Sequence, residues 1–186
     1  AFTSSSYTDC APFSIDSSII SVTHYPAANS TYLWEVLNPS DSSIIHAFTG
    51  IYNVNYTLAT PNDSIYLRLI VTSTNGCKAD TLMHVFRTIP NPEPGFVIDQ
   101  PFGCSPHVIS ISDTSSIGVT HQWYINNILS STSQNPTFTL TNNSYLIDSI
   151  YSIKLVVTAG TGCKDSTEQF VTVFAAPNSQ FSYVNA

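Results

Sequence analysis

The chain has 186 residues and a net charge of -7, with 42% hydrophobic but only 9% charged residues. This balance excludes an intrinsically disordered chain, which would be poor in apolar residues and rich in charge. The 5 Lys and Arg residues are too few and too scattered to bind nucleic acid or an anionic membrane surface, so we expect neither partner. No stretch reaches the length of a membrane-spanning helix, and no signal peptide is visible.

The strand signals are short runs rich in Val, Ile, Thr, Tyr and Phe, separated by turn residues. In residues 65–71 and 151–157 every second side chain is apolar, which is the period of a half-buried strand. No segment shows helical periodicity. The sequence therefore predicts an all-β chain whose strands lie, in chain order, at residues 13–20, 31–37, 51–58, 65–71, 80–89, 107–112, 119–125, 136–141, 151–157 and 165–174.

The chain also matches itself when it is shifted by about 90 residues. The shift aligns Cys10 with Cys104, Trp34 with Trp123, and Cys77 with Cys163. Phe181 then stands where Phe2 and Phe96 stand. We predict one repeat over residues 1–91, a second over 92–178, and the start of a third over 179–186. The proline-rich segment 89–96, "IPNPEPGF", is a short and stiff connector.

Several features of each repeat resemble the PKD-type, immunoglobulin-like repeats of very large Bacteroidota cell-surface proteins. They are the opening Phe, the Cys-x-Pro before the next strand, the Trp strand, the "GCK" turn, and the Pro-x-x-x-Phe junction. The resemblance implies two tandem immunoglobulin-like (PKD-type) β-sandwiches plus the first strand of a third. It also implies an extracellular, cell-surface location and a place in a gliding-motility adhesin or another long surface fibre.

We find no motif that carries catalysis. The sequence has no Gly-x-Ser-x-Gly elbow, no His-Glu-x-x-His and no Gly-rich phosphate loop, and its five His lack metal-ligand spacing. We therefore expect no enzyme, no metal and no cofactor. Trp34 and Trp123 are predicted to pin the cores of the two sandwiches. The alternative is that they form a sugar-binding platform.

Candidate glycosylation positions come from two patterns. Asp followed by Ser or Thr is similar to the motif at which Bacteroidota attach O-glycans, although both residues are also ordinary turn formers. This pattern gives the candidates Ser64, Thr81, Ser149 and Ser166. The N-x-Ser/Thr sequon gives the candidates Asn29, Asn55, Asn62 and Asn142.

In a secreted β protein the four Cys are expected to form disulfides. In an immunoglobulin-like sandwich, a cysteine before the second strand and one after the sixth lie at opposite ends, too far apart for a disulfide. We therefore predict a Cys10–Cys163 bond between the repeats, with Cys77 and Cys104 pairing with neighbouring units. The alternative is pairing within each repeat, Cys10–Cys77 and Cys104–Cys163.

The leading functional hypothesis is a structural repeat segment of an extracellular fibre or adhesin stalk, whose repeats set length and stiffness. The alternative is a carbohydrate- or protein-binding module of a secreted protein. The expected partners are neighbouring repeats of the same array, with glycans either attached or bound.

Overall fold

The computed structural model describes residues 2–22, 30–50, 54–78, 83–116 and 120–177. The chain divides into two compact units, unit 1 over Ala1–Asn91 and unit 2 over Pro92–Ala186. The described residues contain strands and turns and no helix, so the chain is all-β. The predicted start of a third repeat, residues 179–186, lies outside the described residues.

Unit 1 is built from two layers of strands. The larger layer is a five-stranded sheet in the order β2-β9-β8-β5-β6, in which β2 runs parallel to β9 and the other pairs are antiparallel. The smaller layer consists of the antiparallel pairs β1-β4 and β3-β7. The strands are β1 Phe2–Ser4, β2 Thr8–Cys10, β3 Phe13–Asp16, β4 Ile20–Val22, β5 Thr31–Leu37, β6 Ile44–Thr49, β7 Asn55–Leu58, β8 Ser64–Thr72 and β9 Met83–Ile89.

Unit 2 repeats this arrangement with eight strands. Its five-stranded sheet has the order β11-β17-β16-β13-β14, again with one parallel pair at β11-β17. Its smaller layer is one three-stranded sheet, β10-β12-β15. The strands are β10 Phe96–Ile98, β11 Phe102–Cys104, β12 His107–Asp113, β13 Thr120–Ile125, β14 Ile128–Ser131, β15 Thr137–Leu140, β16 Ser149–Thr158 and β17 Lys164–Phe174.

The core of each unit lies between its two layers. In unit 1 the fully buried side chains include Phe2 and Ile15 from the smaller layer and Trp34 and Leu67 from the larger one. In unit 2 the same positions carry Phe96, Ile109, Trp123 and Ile153. Because inward-facing residues of both layers form one core, each unit is an immunoglobulin-like sandwich.

The smaller layers differ because a three-residue turn interrupts the strand in unit 1. Asp16 Oδ1 accepts hydrogen bonds from the backbone N–H and the hydroxyl of Ser18 at 2.7 and 2.5 Å. An Asp side chain that bonds the backbone two residues on replaces ladder bonds with a turn. The predicted strand 13–20 is therefore wrong in its second half, since it ends at Asp16 and a new strand begins at Ile20.

The list of predicted strands lacks the three-residue strands β1, β2, β10 and β11. It also lacks two longer edge strands, β6 and β14. Both lie at the open edge of a five-stranded sheet, next to β5 and β13. The six residues of β6 are nearly all exposed, as are those of β14, so neither strand shows apolar alternation. A usable signal for β14 was the pair Asn126 and Asn127, which take positive φ angles of 49° and 66° in a two-residue hairpin turn.

Candidate functional site

Two of the four cysteines end short parallel strands in the two units. Cys10 is the last residue of β2 and lies opposite Ile89 of β9. Cys104 is the last residue of β11 and lies opposite Phe174 of β17. In both units a cis peptide bond to proline follows, at Ala11–Pro12 and Ser105–Pro106. The backbone therefore presents these two cysteines in the same way.

The other two cysteines lie in equivalent turns after β8 and β16. In unit 1, Ser73 donates its N–H to the Cys77 carbonyl, and Gly76 donates its N–H to the Ser73 carbonyl, both at 2.9 Å. Unit 2 has the same two bonds at 2.9 Å, from Ala159 to Cys163 and from Gly162 to Ala159. The two glycines have left-handed φ angles of 78° and 92°, which favour glycine over any other residue.

Within one unit the two cysteines lie at opposite ends of the sandwich. In unit 1, the last residues of β9 lie beside both Cys10 and the beginning of β8, because Ile89 pairs with Cys10 and Arg87 pairs with the first residue of β8. Cys77 lies at the other end of the sandwich, after the last residue of β8. The nine residues of β8 separate these ends by roughly 25 Å at about 3.3 Å per residue. A disulfide needs Cα atoms within about 7 Å. The alternative of pairing within each repeat is therefore wrong.

The oxidation states of the cysteines differ. Cys10 and Cys163 are disulfide-bonded, whereas Cys77 and Cys104 are exposed free thiols. A disulfide favours an oxidising, extracellular compartment. The Cys10–Cys163 pairing stays a prediction, as does the pairing of Cys77 and Cys104 with neighbouring units.

The two tryptophans play equivalent structural roles. Trp34 and Trp123 are both fully buried. The indole N–H of Trp34 donates to the Gly50 carbonyl at 3.1 Å, and that of Trp123 donates to the Ser133 carbonyl at 2.7 Å. Each indole also meets the opening Phe of its unit edge to face, with ring centroids 4.9 and 5.1 Å apart. A buried ring offers no surface to a sugar, so the platform alternative is wrong.

The candidate O-glycosylation positions differ in exposure. Ser166 is exposed on β17, whereas Ser64 and Ser149 are half-buried. Ser64 pairs with Arg87, and Ser149 pairs with Val173. When the two repeats are aligned by strand register, Ser149 therefore stands one position before the counterpart of Ser64. A shift of one residue turns a side chain to the opposite sheet face, so these two positions are not equivalent. Thr81 lies outside the described residues.

The candidate N-glycosylation positions also separate. Asn55 and Asn62 are exposed, and Asn62 has a positive φ of 58° in a turn. Asn142 is buried, and its Nδ2 donates hydrogen bonds at 2.9 Å to the carbonyls of Ile147 and Val173. The prediction for Asn142 is wrong because the amide nitrogen that would carry the glycan is enclosed in the fold. Asn29 lies outside the described residues.

Among the described residues, three aspartates have lowered pKa values. The side-chain and backbone hydrogen bonds from Ser18 lower the pKa of Asp16, and those from Ser43 lower the pKa of Asp41. At Asp113 burial acts to raise the pKa, but bonds from Ser115 and Gln134 and the charge of His121 outweigh it, so the pKa is lowered. Asp113 is therefore ionised and firmly held at neutral pH.

Among the described residues, each unit has one close pair of a basic and an acidic side chain. In unit 1, Arg68 Nε donates to Glu35 Oε2 at 2.6 Å, and the Glu35 side chain is almost fully buried. In unit 2, His121 Nε2 lies 2.8 Å from Asp113 Oδ2, with both side chains buried. Among the described residues no group of three or more His, Cys, Asp or Glu side chains could hold a metal ion.

Unit 2 also exposes a set of large apolar side chains that the sequence prediction missed. The Phe face comprises Phe102 on β11, Phe170 and Phe174 on β17, and Ile150 on β16, all exposed. Phe102 and Phe174 have ring centroids 6.2 Å apart. On β17, the exposed Phe170 and Phe174 lie on the face opposite to the buried Val171 and Val173. Apolar residues on both faces of one strand are the signal in the sequence that indicates this surface.

The loop 141–148 adds to the exposed apolar surface of unit 2. Its tip carries Tyr145, Leu146 and Ile147, and Leu146 is 91% exposed. The corresponding loop of unit 1, residues 59–63, is shorter and reads "ATPND". Asn142 holds the longer loop in place through its hydrogen bonds to the carbonyls of Ile147 in the loop and of Val173 on β17.

No family model matches the chain, and no curated protein matches it either. Among solved structures, it is similar to the PKD1 domain of the Vibrio cholerae metalloprotease PrtV. That match has 25% identity and a TM-score of 0.37, covering 45% of this chain and 96% of that one. Fibronectin(III)-like modules of Clostridium thermocellum CbhA match at 9% identity and a TM-score of 0.47, covering 99% and 100%.

A third similar structure is Bacteroides ovatus SGBP-B, from a mixed-linkage glucan utilization locus, in complex with a mixed-linkage heptasaccharide. It has 12% identity and a TM-score of 0.29, and the match covers 91% of this chain and 42% of that one. Because all three TM-scores are below 0.5, the immunoglobulin-like fold rests on the strand order and register of the chain itself. Among the described residues no helix has the length and apolar character to cross a membrane.

Proposed function

We propose that the chain is a structural, non-catalytic repeat segment of an extracellular bacterial surface fibre or adhesin stalk, in which the repeats set length and stiffness. The observation that carries this proposal is the placement of the cysteines. Each unit holds one cysteine at either end of its long central strands, too far apart to bond to each other. Cysteines at both ends of a repeated module suit covalent links between successive modules.

The separate cores of the two units support the same proposal. Each unit has its own cluster of buried apolar side chains. Modules with independent cores can be added in series, so that the length of the array grows with the number of units. Disulfides at the joins would reduce bending between modules.

The parent protein tests this function directly. Negative-stain micrographs of the full parent protein should show thin fibres, and reduction with dithiothreitol should shorten their persistence length without removing them. A compact particle, or a fibre whose bending is the same before and after reduction, would contradict the proposed role of the repeats. A cysteine-free variant of the parent, compared with and without reductant, controls for other effects of the reductant.

A second candidate function is a protein- or carbohydrate-binding module, and the exposed Phe face of unit 2 favours it. Exposed aromatic side chains in one place are typical of a binding surface. Isolated protein applied to a glycan array distinguishes the two candidates. Selective retention by one class of glycan, lost in Phe102→Ser, would favour the binding module over the stalk.

A further inference from the structure

We propose that the Phe face of unit 2 is the docking surface for the Cys77 turn of a second copy of this chain. The join is closed by an intermolecular Cys104–Cys77 disulfide. This inference rests on the proposed function, because it names the partner that a fibre repeat would bind. The proposal assigns a role to the two exposed thiols and to the exposed apolar side chains, neither of which contributes to the core of a single chain.

The first argument is that both free thiols lie in the same backbone setting as a bonded cysteine. Cys104 ends a strand parallel to β17, as Cys10 ends a strand parallel to β9. Cys77 lies in a turn with the same two backbone hydrogen bonds as the turn of Cys163. Since Cys10 and Cys163 are disulfide-bonded, the same two backbone settings at Cys104 and Cys77 are suited to bonding.

The second argument is the position of Cys104 on the Phe face. Cys104 and Phe102 are both exposed, two residues apart on β11, and therefore point to the same side of the sheet. Phe174 lies directly opposite Cys104 in the strand register. An exposed thiol among exposed aromatic rings is a contact surface with a covalent group within it.

The third argument is that one row of this face is apolar in unit 2 and polar in unit 1. The register places Thr8, Arg87 and Ser64 in one row across β2, β9 and β8. The same row of unit 2 holds Phe102, Thr172 and Ile150. Unit 2 thus exposes apolar area that its own fold does not need. Because the two binding elements lie on different units, the contact is head-to-tail and can continue from copy to copy.

The bond forms by thiol–disulfide exchange with a small disulfide such as oxidised glutathione. The Cys104 thiolate attacks the glutathione disulfide, forms a mixed disulfide and releases one glutathione. The Cys77 thiolate of the second copy then attacks the Cys104 sulfur and releases the second glutathione. In total, two protein thiols are oxidised, one glutathione disulfide is reduced, and both protons leave on the two glutathione thiols.

The test uses the full 186-residue chain and two single variants, Cys77→Ser and Cys104→Ser. Each is incubated alone and in an equal mixture with the other, in the presence of oxidised glutathione, and dimers are measured by non-reducing gel electrophoresis. We expect the mixture to give roughly tenfold more dimer than either variant alone, which corresponds to a docking preference of about 1.4 kcal/mol. The unsubstituted chain should form a ladder of longer oligomers.

Equal dimer yields in the mixture and in the single variants would overturn the proposal, because they indicate collision of thiols without docking. More dimer from Cys77→Ser alone than from the mixture would instead show a symmetric Cys104–Cys104 contact and would also overturn it. Phe102→Ser, introduced into Cys77→Ser, should reduce the mixed dimer. The matched control Thr8→Ser, at the same position of unit 1, should leave it unchanged.

Circular dichroism and tryptophan fluorescence of each variant confirm that the sandwiches are folded, so a lost dimer is not a lost fold. The micrographs of the parent protein test the stalk function separately. If the parent forms fibres but the mixture forms no dimer, the docking inference fails while the proposed function stands.

Discussion

The two units share their inward-facing residues and differ on their outward-facing ones. Both bury a Trp against an opening Phe at the centre of the core, and both place their cysteines at the same two points of the sandwich. On the outer face of unit 1, the row across β2, β9 and β8 is polar, whereas the same region of unit 2, on β11, β17 and β16, carries exposed Phe and Ile. The repeated fold is thus specified by the inward positions, and the outward positions are free to define separate surfaces.

The largest expected effect tests whether the two cores are equivalent. Trp34→Ala and Trp123→Ala should each cost about 3–5 kcal/mol in the free energy of unfolding, because a large buried aromatic is replaced by a cavity. Urea denaturation followed by far-ultraviolet circular dichroism measures this cost. If one variant unfolds at the urea concentration of the parent, the two tryptophans are not equivalent.

The next effect contrasts the charged pairs on the two sheets. Arg68→Ala should cost about 2–3 kcal/mol, because it leaves the buried Glu35 carboxylate without its cation, although partial exposure of Arg68 limits the loss. The matched control is Lys154→Ala in unit 2, where the half-buried Lys154 lies opposite the exposed Glu168. There the cost should be about 0–1 kcal/mol. Equal costs in the two variants would contradict the difference in burial.

Asp113 should give unit 2 a pH-dependent contribution to stability that unit 1 lacks, because Val22 stands at the equivalent position of unit 1. Asp113→Asn should cost about 1–2 kcal/mol at pH 7 through weakened hydrogen bonds to a charged group. The folded pKa is lowered below the ordinary 3.8, so the contribution is fully present above about pH 4 and is lost as the pH falls through the lowered pKa.

Urea denaturation of the parent and of Asp113→Asn at pH 7, 5, 4 and 3 measures this dependence. The difference between the two should be constant at the higher pH values and should shrink at the lowest. Asp41→Asn, at an exposed turn of unit 1, is the control and should show a smaller difference throughout. A difference that grows as the pH falls would contradict the direction of the Asp113 pKa shift.

A smaller effect on stability is expected on the Phe face. Phe170→Ser should change the free energy of unfolding by no more than about 0.5 kcal/mol, because the side chain is exposed. It should nevertheless lower the binding of an apolar dye such as anilinonaphthalene sulfonate. Val85→Ser at the equivalent position of unit 1 should not change dye binding. Unchanged dye binding in both variants would mean that the Phe face is covered in solution.

The smallest effect concerns O-linked sugar, which changes mass and not fold. In material from the native host we predict glycan at Ser166, which is exposed on β17, and less at Ser149, which is half-buried. Peptide mass spectrometry with site localisation measures the occupancy of each serine. Peptides that carry only their bare sequence mass at every Asp-Ser or Asp-Thr pair would remove the O-glycan prediction.

Period-two alternation predicts the strands that have one buried face, because alternation is the direct consequence of half burial. It identifies β8 and β16 and places both tryptophans on strands next to them. It misses β6 and β14 because edge strands exposed on both faces have no alternation to read. The interruption at Asp16 was also missed, since Asp and Ser are tolerated in strands and their turn is decided by local hydrogen bonds.

The equivalent positions of the cysteines could be predicted from the sequence, but the burial of side chains and the surfaces they form could not. Repetition of the cysteines at a fixed spacing indicates that they have equivalent places in the fold, and both pairs do have them. Burial of Asn142 could not be read from its sequon, because it depends on carbonyls that come from residues distant in the chain. The Phe face likewise required the register, which decides which apolar residues of β11, β16 and β17 share a surface.

The central claim, that the cysteines join successive repeats, is tested most directly by tryptic mapping of the unreduced chain. Cleavage after Arg68, Lys78, Arg87, Lys154 and Lys164 leaves Cys10, Cys77, Cys104 and Cys163 on four different peptides. We predict a linked peptide pair containing Cys10 and Cys163, which reduction separates into its two components. A linked pair containing Cys10 and Cys77, from the same repeat, would contradict the account.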